Sequence, residues 1–149
     1  MIYPDFIQKG DTVYVTAPSD GNKDDVDIIR LERAKAALNR LGVSVLETPD
    51  VRKSENGRSS EAKVRADEFA EAWMSDAKAV FSAKGGDFLM EMLPYVPFAE
   101  LARKPKWFQG FSDNTSIGFI FSTCYDIASI YGDNFNTFAM EEWHQSVSD

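Results

Sequence analysis

The chain has 149 residues, a hydrophobic content of 44%, a charged content of 27% and a formal net charge of −8. This composition is typical of one soluble domain with its own core and excludes intrinsic disorder, and the acidic charge argues against a nucleic-acid or anionic-membrane partner. No apolar run approaches the ~20 residues of a bilayer span, and the first residues lack the layout of a signal peptide. The expected location is therefore cytoplasmic.

Strand and helix patterns alternate along the chain. Runs of β-branched and aromatic residues predict strands, and apolar residues at spacings of three and four predict helices. Gly42 suits the left-handed position that ends the first helix. In chain order, the predicted elements are strand 12–17, helix 24–41, strand 43–46, surface loop 50–60, helix 61–75, strand 79–83, short helices near 89–92 and 98–103, strand 107–111, a helix through Ile117, Phe121 and Cys124, and strand 127–131.

This alternation predicts the α/β class, with an open, mostly parallel sheet and helices on both faces in a single flavodoxin-like domain. The domain is expected to span residues 1–134, and residues 135–149 are expected to form a tail. In such sheets, ligands bind beyond the carboxyl ends of the strands. Three loops of unusual composition follow predicted strands, and we expect them to converge on one pocket: Pro18-Ser19-Asp20-Gly21, Lys84-Gly85-Gly86-Asp87 and Ser112-Asp113-Asn114.

The third loop has the layout of a nucleophile elbow. Gly110 stands two residues before Ser112, Asp113 follows directly, and the segment joins a predicted strand to a predicted helix. A helix N-terminus offers unpaired backbone N–H groups and a partial positive charge to an oxyanion. The alternative is that Ser112 or Asp113 only caps the following helix, as such residues commonly do.

The glycine pair of the second loop can approach a ligand closely and direct N–H groups at it. We expect the N–H groups of Gly86 and Asp113 to form a two-donor oxyanion hole, and Gly85 and Ser19 to contact the substrate. Without the elbow, a plain strand-to-helix turn explains the pair equally well. Neither a dinucleotide-binding fingerprint nor a Walker A motif occurs, so no nucleotide cofactor is expected.

A serine nucleophile needs a general base, and the sequence offers no obvious one. The only histidine, His144, stands beside Trp143 near the end of the chain, a setting more typical of a structural or exposed residue. Cys124 falls on an apolar helical stripe, which predicts a buried, inert thiol rather than a nucleophile. One histidine and one cysteine do not make a metal site, so no metal is expected.

Together, several short motifs resemble a known family. They are Gly10-Asp11, Ala17-Pro18-Ser19, Lys84-Gly85-Gly86-Asp87, Leu93-Pro94-Tyr95, and Pro105-Lys106 leading to Gly110-Phe111-Ser112-Asp113-Asn114-Thr115. In order and spacing they resemble the LD-carboxypeptidases, serine peptidases that remove the terminal D-amino acid from murein peptides. The stretches Tyr131-Gly132-Asp133-Asn134-Phe135 and Met140-Glu141-Glu142-Trp143-His144 are similar to the branch that contains the microcin self-immunity carboxypeptidases.

The resemblance implies that Ser112 is the nucleophile and that the backbone N–H groups of Asp113 and Gly86 stabilise the oxyanion. It also implies that the activating His and Glu come from a C-terminal domain that this chain lacks, so the chain alone is expected to be nearly inert toward a small peptide substrate. The apolar tail would then cover the missing part, and its exposure favours a non-native homodimer. The tail residues concerned are Phe135, Phe138, Met140 and Trp143.

Other interpretations stay open at this point. A non-catalytic α/β module would hold a small anion at the helix N-terminus after Phe111, with Gly85-Gly86 as a second anion site. A phosphoacceptor domain fits less well, because it needs an acidic residue where the third strand is followed by Lys84. A purely structural fragment is also open, and so is the choice between a murein peptide and a peptidyl–nucleotide conjugate as substrate.

Overall fold

A computed structural model of the chain describes residues 1–143 and Gln145. Its strands form one parallel sheet in the order β2-β1-β3-β4-β5, with bounds of Thr12–Thr16 for β1, Ser44–Glu47 for β2, Ala79–Ser82 for β3, Trp107–Gly110 for β4 and Ile130–Tyr131 for β5. The α-helices are α1, Asp25–Arg40; α2, Ala62–Met74; α3, Phe98–Leu101; and α4, Thr115–Cys124. Short 3₁₀ segments span Leu89–Glu91, Leu93–Tyr95, Ser112–Asn114 and Phe135–Ala139. The predicted flavodoxin-like α/β fold is confirmed.

Strand β5 is shorter than the predicted 127–131. Ile127 pairs instead with Ile2 in an isolated bridge, and the N–H of Ala128 donates to the carbonyl of Ile2 at 2.8 Å. The N-terminal residues therefore take the hydrogen bonds that a longer fifth strand would have made. At the end of α1, Gly42 has φ +85°, as its position after the helix predicts.

The sheet separates two apolar layers. On one face, α1 packs its buried residues Leu31 and Ala34 against Val13 and Val15 of β1. The other face is covered by α2 and α4, whose rings Trp73 and Phe121 stack with centroids 4.1 Å apart, and both helices pack near Phe108 of β4. The indole N–H of Trp73 donates to the carbonyl of Leu101, the last residue of α3, and to that of Lys104. Alternating strand residues thus serve both layers, as expected for a buried parallel sheet.

Two expectations about apolar residues need correction. Cys124 is exposed rather than buried, because the buried stripe of α4 runs through Ile117 and Phe121 and continues at Tyr125 instead. The expected exposure of the apolar tail is also wrong for its first residue. Phe135 is fully buried and packs edge-on against Phe81, with ring centroids 5.7 Å apart.

The rest of the described tail lies on the same layer. Phe138 packs against Phe81 and Trp143, and the segment Phe135–Ala139 lies along α1. The side chains of Phe135 and Phe138 therefore pack on the domain itself, whereas Met140 is exposed, and a homodimer stays a prediction. Among the described residues, no helix combines the length and apolar character needed to cross a membrane.

Candidate active site

The elbow after β4 has the backbone of a strained turn. Phe111 is extended, and Ser112 then adopts φ +63°, a left-handed conformation that is costly for a residue with a side chain. Gly110 is required before it, because a β-carbon there would lie 2.9 Å from Asn114 Cβ. Ser112 is exposed, and neither it nor Asp113 makes a side-chain capping hydrogen bond to the helix. The capping alternative therefore does not explain the elbow.

Asp113 ties the three predicted loops together. Its Oδ1 accepts the N–H of Gly86 at 3.0 Å, and its Oδ2 accepts the N–H of Leu89 at 3.1 Å. The hydroxyl of Ser19, in the loop after β1, also donates to Oδ2. Strands β1, β3 and β4 are neighbours in the sheet, so their carboxyl ends meet at one edge, and this carboxylate fixes their loops against one another. The three loops therefore meet as predicted, and a shared pocket between them stays a prediction.

This network changes two of the predicted roles. Ser19 is fully buried, its hydroxyl faces Asp113 and its carbonyl accepts the N–H of Ser59 at 3.0 Å, so it supports the site rather than contacting a substrate directly. The N–H of Gly86 is likewise engaged by Asp113, which places that amide in the scaffold of the site. The N–H of Asp113 lies in the first turn of the helical segment, where backbone donors have no partner within the helix. Its oxyanion role stays a prediction.

Gly85 lies directly against Ser112. A β-carbon built on Gly85 would lie 2.7 Å from Ser112 Cβ and 3.0 Å from Ser112 Oγ. Only a residue without a side chain lets the loop after β3 approach the serine this closely. None of the described residues accepts a hydrogen bond from the N–H of Gly85. Gly85 thus remains a predicted substrate contact beside Ser112 Oγ.

A buried arginine supports the loops from below. Arg65, in the first turns of α2, is 2% exposed and donates to the carbonyls of Pro18 at 2.8 Å and Phe88 at 3.1 Å. It also pairs with Glu91 at 3.0 Å. Burial lowers the pKa of this guanidinium from its ordinary value, although Glu91 opposes the shift. Arg65 thus joins the loop after β1 to the loop after β3, outside the serine's own surroundings.

The loop after β5 brings a residue that the sequence analysis missed. Asn134 Oδ1 accepts the N–H of Phe111 at 3.0 Å and lies 3.4 Å from Asn114 Nδ2. Its Nδ2 lies 3.6 Å from the position of a β-carbon on Gly85. The available signal was a fourth polar loop, Tyr131-Gly132-Asp133-Asn134, at the carboxyl end of the fifth strand. That loop ends at the same edge of the sheet as the other three.

No general base is found in the described part of the chain. Ser112 Oγ makes no hydrogen bond to any side chain there, and His144 lies outside the described residues. Lys84, the nearest basic residue along the loop after β3, is held by Asp27 at 2.8 Å and Asp20 at 3.3 Å. Burial disfavours its charge, but the two carboxylates outweigh burial and raise the pKa of Lys84. A lysine so held is protonated at neutral pH and is unsuited to act as a base.

Comparisons with known proteins identify a family that matches most of the chain. A family described as the LD-carboxypeptidase N-terminal domain matches residues 13–132. An inferred carboxypeptidase of Bacillus subtilis strain 168, YocD, is 26% identical over 145 residues, which are 95% of this chain and 43% of that protein. The chain thus spans less than half the length of that curated relative.

Two solved structures share the fold at similar coverage. An MccF-like protein from Bacillus anthracis strain Ames superposes with a TM-score of 0.86 and 25% identity, covering 95% of this chain and 43% of that one. The microcin C7 self-immunity protein MccF, in complex with aspartyl sulfamoyl adenosine, gives a TM-score of 0.83 and 25% identity, covering 93% of this chain and 41% of its own.

Proposed function

The chain belongs to the LD-carboxypeptidase family, whose N-terminal domain it matches, and from this we propose that it carries the nucleophile of a serine carboxypeptidase. In this proposal, Ser112 attacks the terminal amide of a murein L,D-peptide or a related peptidyl conjugate. A role in cytoplasmic recycling of murein peptides belongs to the same proposal.

The observation that carries the proposal is the positive φ of Ser112. A left-handed serine costs about 1 to 3 kcal/mol and persists only when its surroundings hold it in place. Here those surroundings are Asp113, with its contacts to two other loops, and the close approach of Gly85. A residue that merely links a strand to a helix has no need of such strain. A nucleophile that must project from a sharp turn does.

The proposed reaction is acyl transfer to serine followed by hydrolysis. Ser112 Oγ forms a bond to the carbonyl carbon, and the electrons of the C=O bond move to its oxygen. The N–H of Asp113 is positioned to donate to that oxygen, where one such donor contributes roughly 3 to 4 kcal/mol to the transition state. The C–N bond then breaks, the amine leaves with the proton that Oγ lost, and water releases the acyl group.

The proton needs a carrier that the described residues do not supply. The family resemblance implies an imidazole, oriented by a carboxylate, from the remaining part of a longer protein. Losing the base of a serine triad lowers turnover by on the order of 10⁶ in a well-studied enzyme. We therefore propose that the 149-residue chain alone is nearly inert. A rate from this chain that matches a longer form would contradict this.

The proposed substrates share the bond that is attacked, a carbonyl carbon joined to nitrogen, and differ in the leaving group. The MccF structure that resembles this chain holds an aspartyl sulfamoyl nucleoside, in which an acidic amino acid is joined to a sulfamoyl group. A murein peptide presents an amide to a D-amino acid instead. Both place a carbonyl carbon next to a nitrogen leaving group, which is what Ser112 would attack. A direct assay with each substrate distinguishes between them.

The test uses the longest natural polypeptide that contains this segment, beside its Ser112→Ala variant. One arm measures release of the D-amino acid from an L,D-tetrapeptide, and the other measures cleavage of an aminoacyl sulfamoyl nucleoside. Release that disappears with Ser112→Ala supports the proposal and identifies the substrate class. Equal release from both proteins rules out Ser112 as the nucleophile. An absence of release in both arms favours the anion-binding module.

A further inference from the structure

The orientation of the Asn134 amide is determined by its neighbours. The backbone N–H of Phe111 can only donate, so the atom that faces it at 3.0 Å must be the carbonyl oxygen of Asn134. The NH₂ group of Asn114 faces the same oxygen at 3.4 Å. With Oδ1 occupied by donors, Nδ2 must point the other way. No described residue accepts a hydrogen bond from this Nδ2.

The Nδ2 of Asn134 and the Oγ of Ser112 lie on the same side of the Gly85 backbone. Asn134 Nδ2 and Ser112 Oγ both lie within 3.6 Å of one point, the position that a β-carbon on Gly85 would take. Asn134 is only partly exposed, so its donors are screened from bulk water. A neutral amide donor beside a serine hydroxyl, in a partly enclosed setting, is the arrangement that stabilises an oxyanion in serine hydrolases.

The backbone holds this side chain in place from two directions. Behind Asn134, Phe135 is fully buried in the layer under α1. Before it, the carbonyl of Asp133 accepts the side-chain N–H of Gln109, from β4, at 2.8 Å. The described part of the tail therefore delivers Asn134 to the elbow. A donor fixed before the reaction loses little free energy in reorganising during it.

We propose that Asn134 Nδ2 donates a hydrogen bond to the oxyanion formed when Ser112 attacks the substrate carbonyl. This rests on the proposed acyl transfer and adds a side-chain donor to the backbone N–H of Asp113. It also replaces the donor that Gly86 does not offer, because the N–H of Gly86 is engaged by the Asp113 carboxylate. Asn134 then acts in the transition state and contributes little to ground-state binding.

A purely structural role for Asn134 makes a different prediction. In that role the oxygen matters, since it anchors the N–H of Phe111, and the nitrogen does not. Asn134→Asp keeps an acceptor for Phe111 and removes the donor, whereas Asn134→Ala removes both. The double variant Asp133→Asn/Asn134→Asp keeps the net charge of the segment, because it removes one carboxylate and adds one. Asp133 is suited to this exchange, since it is exposed and its side chain makes no hydrogen bond among the described residues.

The experiment measures kcat and KM of these variants in the longest natural polypeptide that contains the segment, with the substrate on which Ser112-dependent release is found. We expect Asn134→Asp, Asn134→Ala and the double variant each to lower kcat about 10²- to 10³-fold while KM changes less than about threefold. Urea unfolding of each variant reports whether the fold is retained, and Asn134→Asp should unfold at the same urea concentration as the parent.

Each other outcome overturns the inference. If Asn134→Asp keeps the parent kcat while Asn134→Ala loses it, the oxygen is what matters and the role is structural. If the variants raise KM and leave kcat unchanged, the amide binds the substrate without stabilising the transition state. If the unsubstituted protein shows no Ser112-dependent release, the proposed function itself is wrong, and this result is distinct from those above.

Discussion

Replacing Asp113 with alanine tests the contact that joins the three loops. The carboxylate accepts hydrogen bonds from the hydroxyl of Ser19, the N–H of Gly86 and the N–H of Leu89. A hydrogen bond to a charged group contributes about 1.5 to 3 kcal/mol, but the side chain is only partly buried and water replaces part of the loss. We expect Asp113→Ala to lower the free energy of unfolding by about 3 to 5 kcal/mol.

Asp113→Asn should cost less, about 1 to 3 kcal/mol, because one amide oxygen remains as an acceptor while the NH₂ group faces a backbone N–H. The assay is urea unfolding of the 149-residue chain, followed by tryptophan fluorescence. The matched control is Asp87→Ala, an exposed carboxylate in the neighbouring loop that should change the free energy by less than about 0.5 kcal/mol. In a double-mutant cycle, Ser19→Ala and Asp113→Ala should couple by about 1 kcal/mol or more. An Asp113→Ala cost no larger than that of Asp87→Ala would refute the reasoning.

Three further predictions follow from single contacts. Gly85→Ala places a methyl group against Ser112 Oγ, so the Ser112-dependent rate of a longer form should fall at least about 100-fold, by steady-state kinetics, while the chain still folds. Arg65→Met removes the donors to two loop carbonyls and should lower the free energy of unfolding by about 3 to 5 kcal/mol in urea. Burial lowers the pKa of Lys106 from 10.5 in the unfolded chain to about 8 in the folded chain. The cost of burying the charged ammonium therefore lowers the stability in full below pH 8, and this cost is relieved as the pH rises to 10.5. Between pH 7 and pH 10, the free energy of unfolding of the parent, measured in urea titrations, should rise by about 1 to 3 kcal/mol relative to that of Lys106→Met. A difference between the two proteins that does not change with pH would contradict this.

The order of elements was predictable because each has a simple periodic signal. Apolar runs at β1, β3 and β4 and the stripes of α1 and α2 indicate a parallel sheet with helices on both faces. The elbow was predictable from the residue types around Ser112, because Gly110, Ser112 and Asp113 stand between a predicted strand and a predicted helix. The strand order explains why the three loops meet, because β1, β3 and β4 are neighbours in the sheet.

The partners of individual side chains were not predictable in the same way. Which atom the Asp113 carboxylate contacts depends on loop geometry, and the bond to the N–H of Gly86 could not be inferred from the glycine pair itself. Asn134 reaches the elbow only because Phe135 folds back onto the sheet. Residues Phe135 and Phe138 are three positions apart, which is a helical apolar spacing, so the packed tail left a readable signal. No residue in the described part of the chain gives a comparable signal for a general base.

The most direct test of the central claim is to trap the acyl group on the chain. The longest natural polypeptide that contains this segment is mixed with its cleavable substrate, quenched in acid within the first turnover and digested for mass spectrometry. Acyl transfer to Ser112 predicts that the mass of the acyl portion appears on the peptide containing Ser112 and is absent from the Ser112→Ala protein. Continued release of the leaving group with no acyl mass on that peptide, or with the mass on another residue, would contradict it.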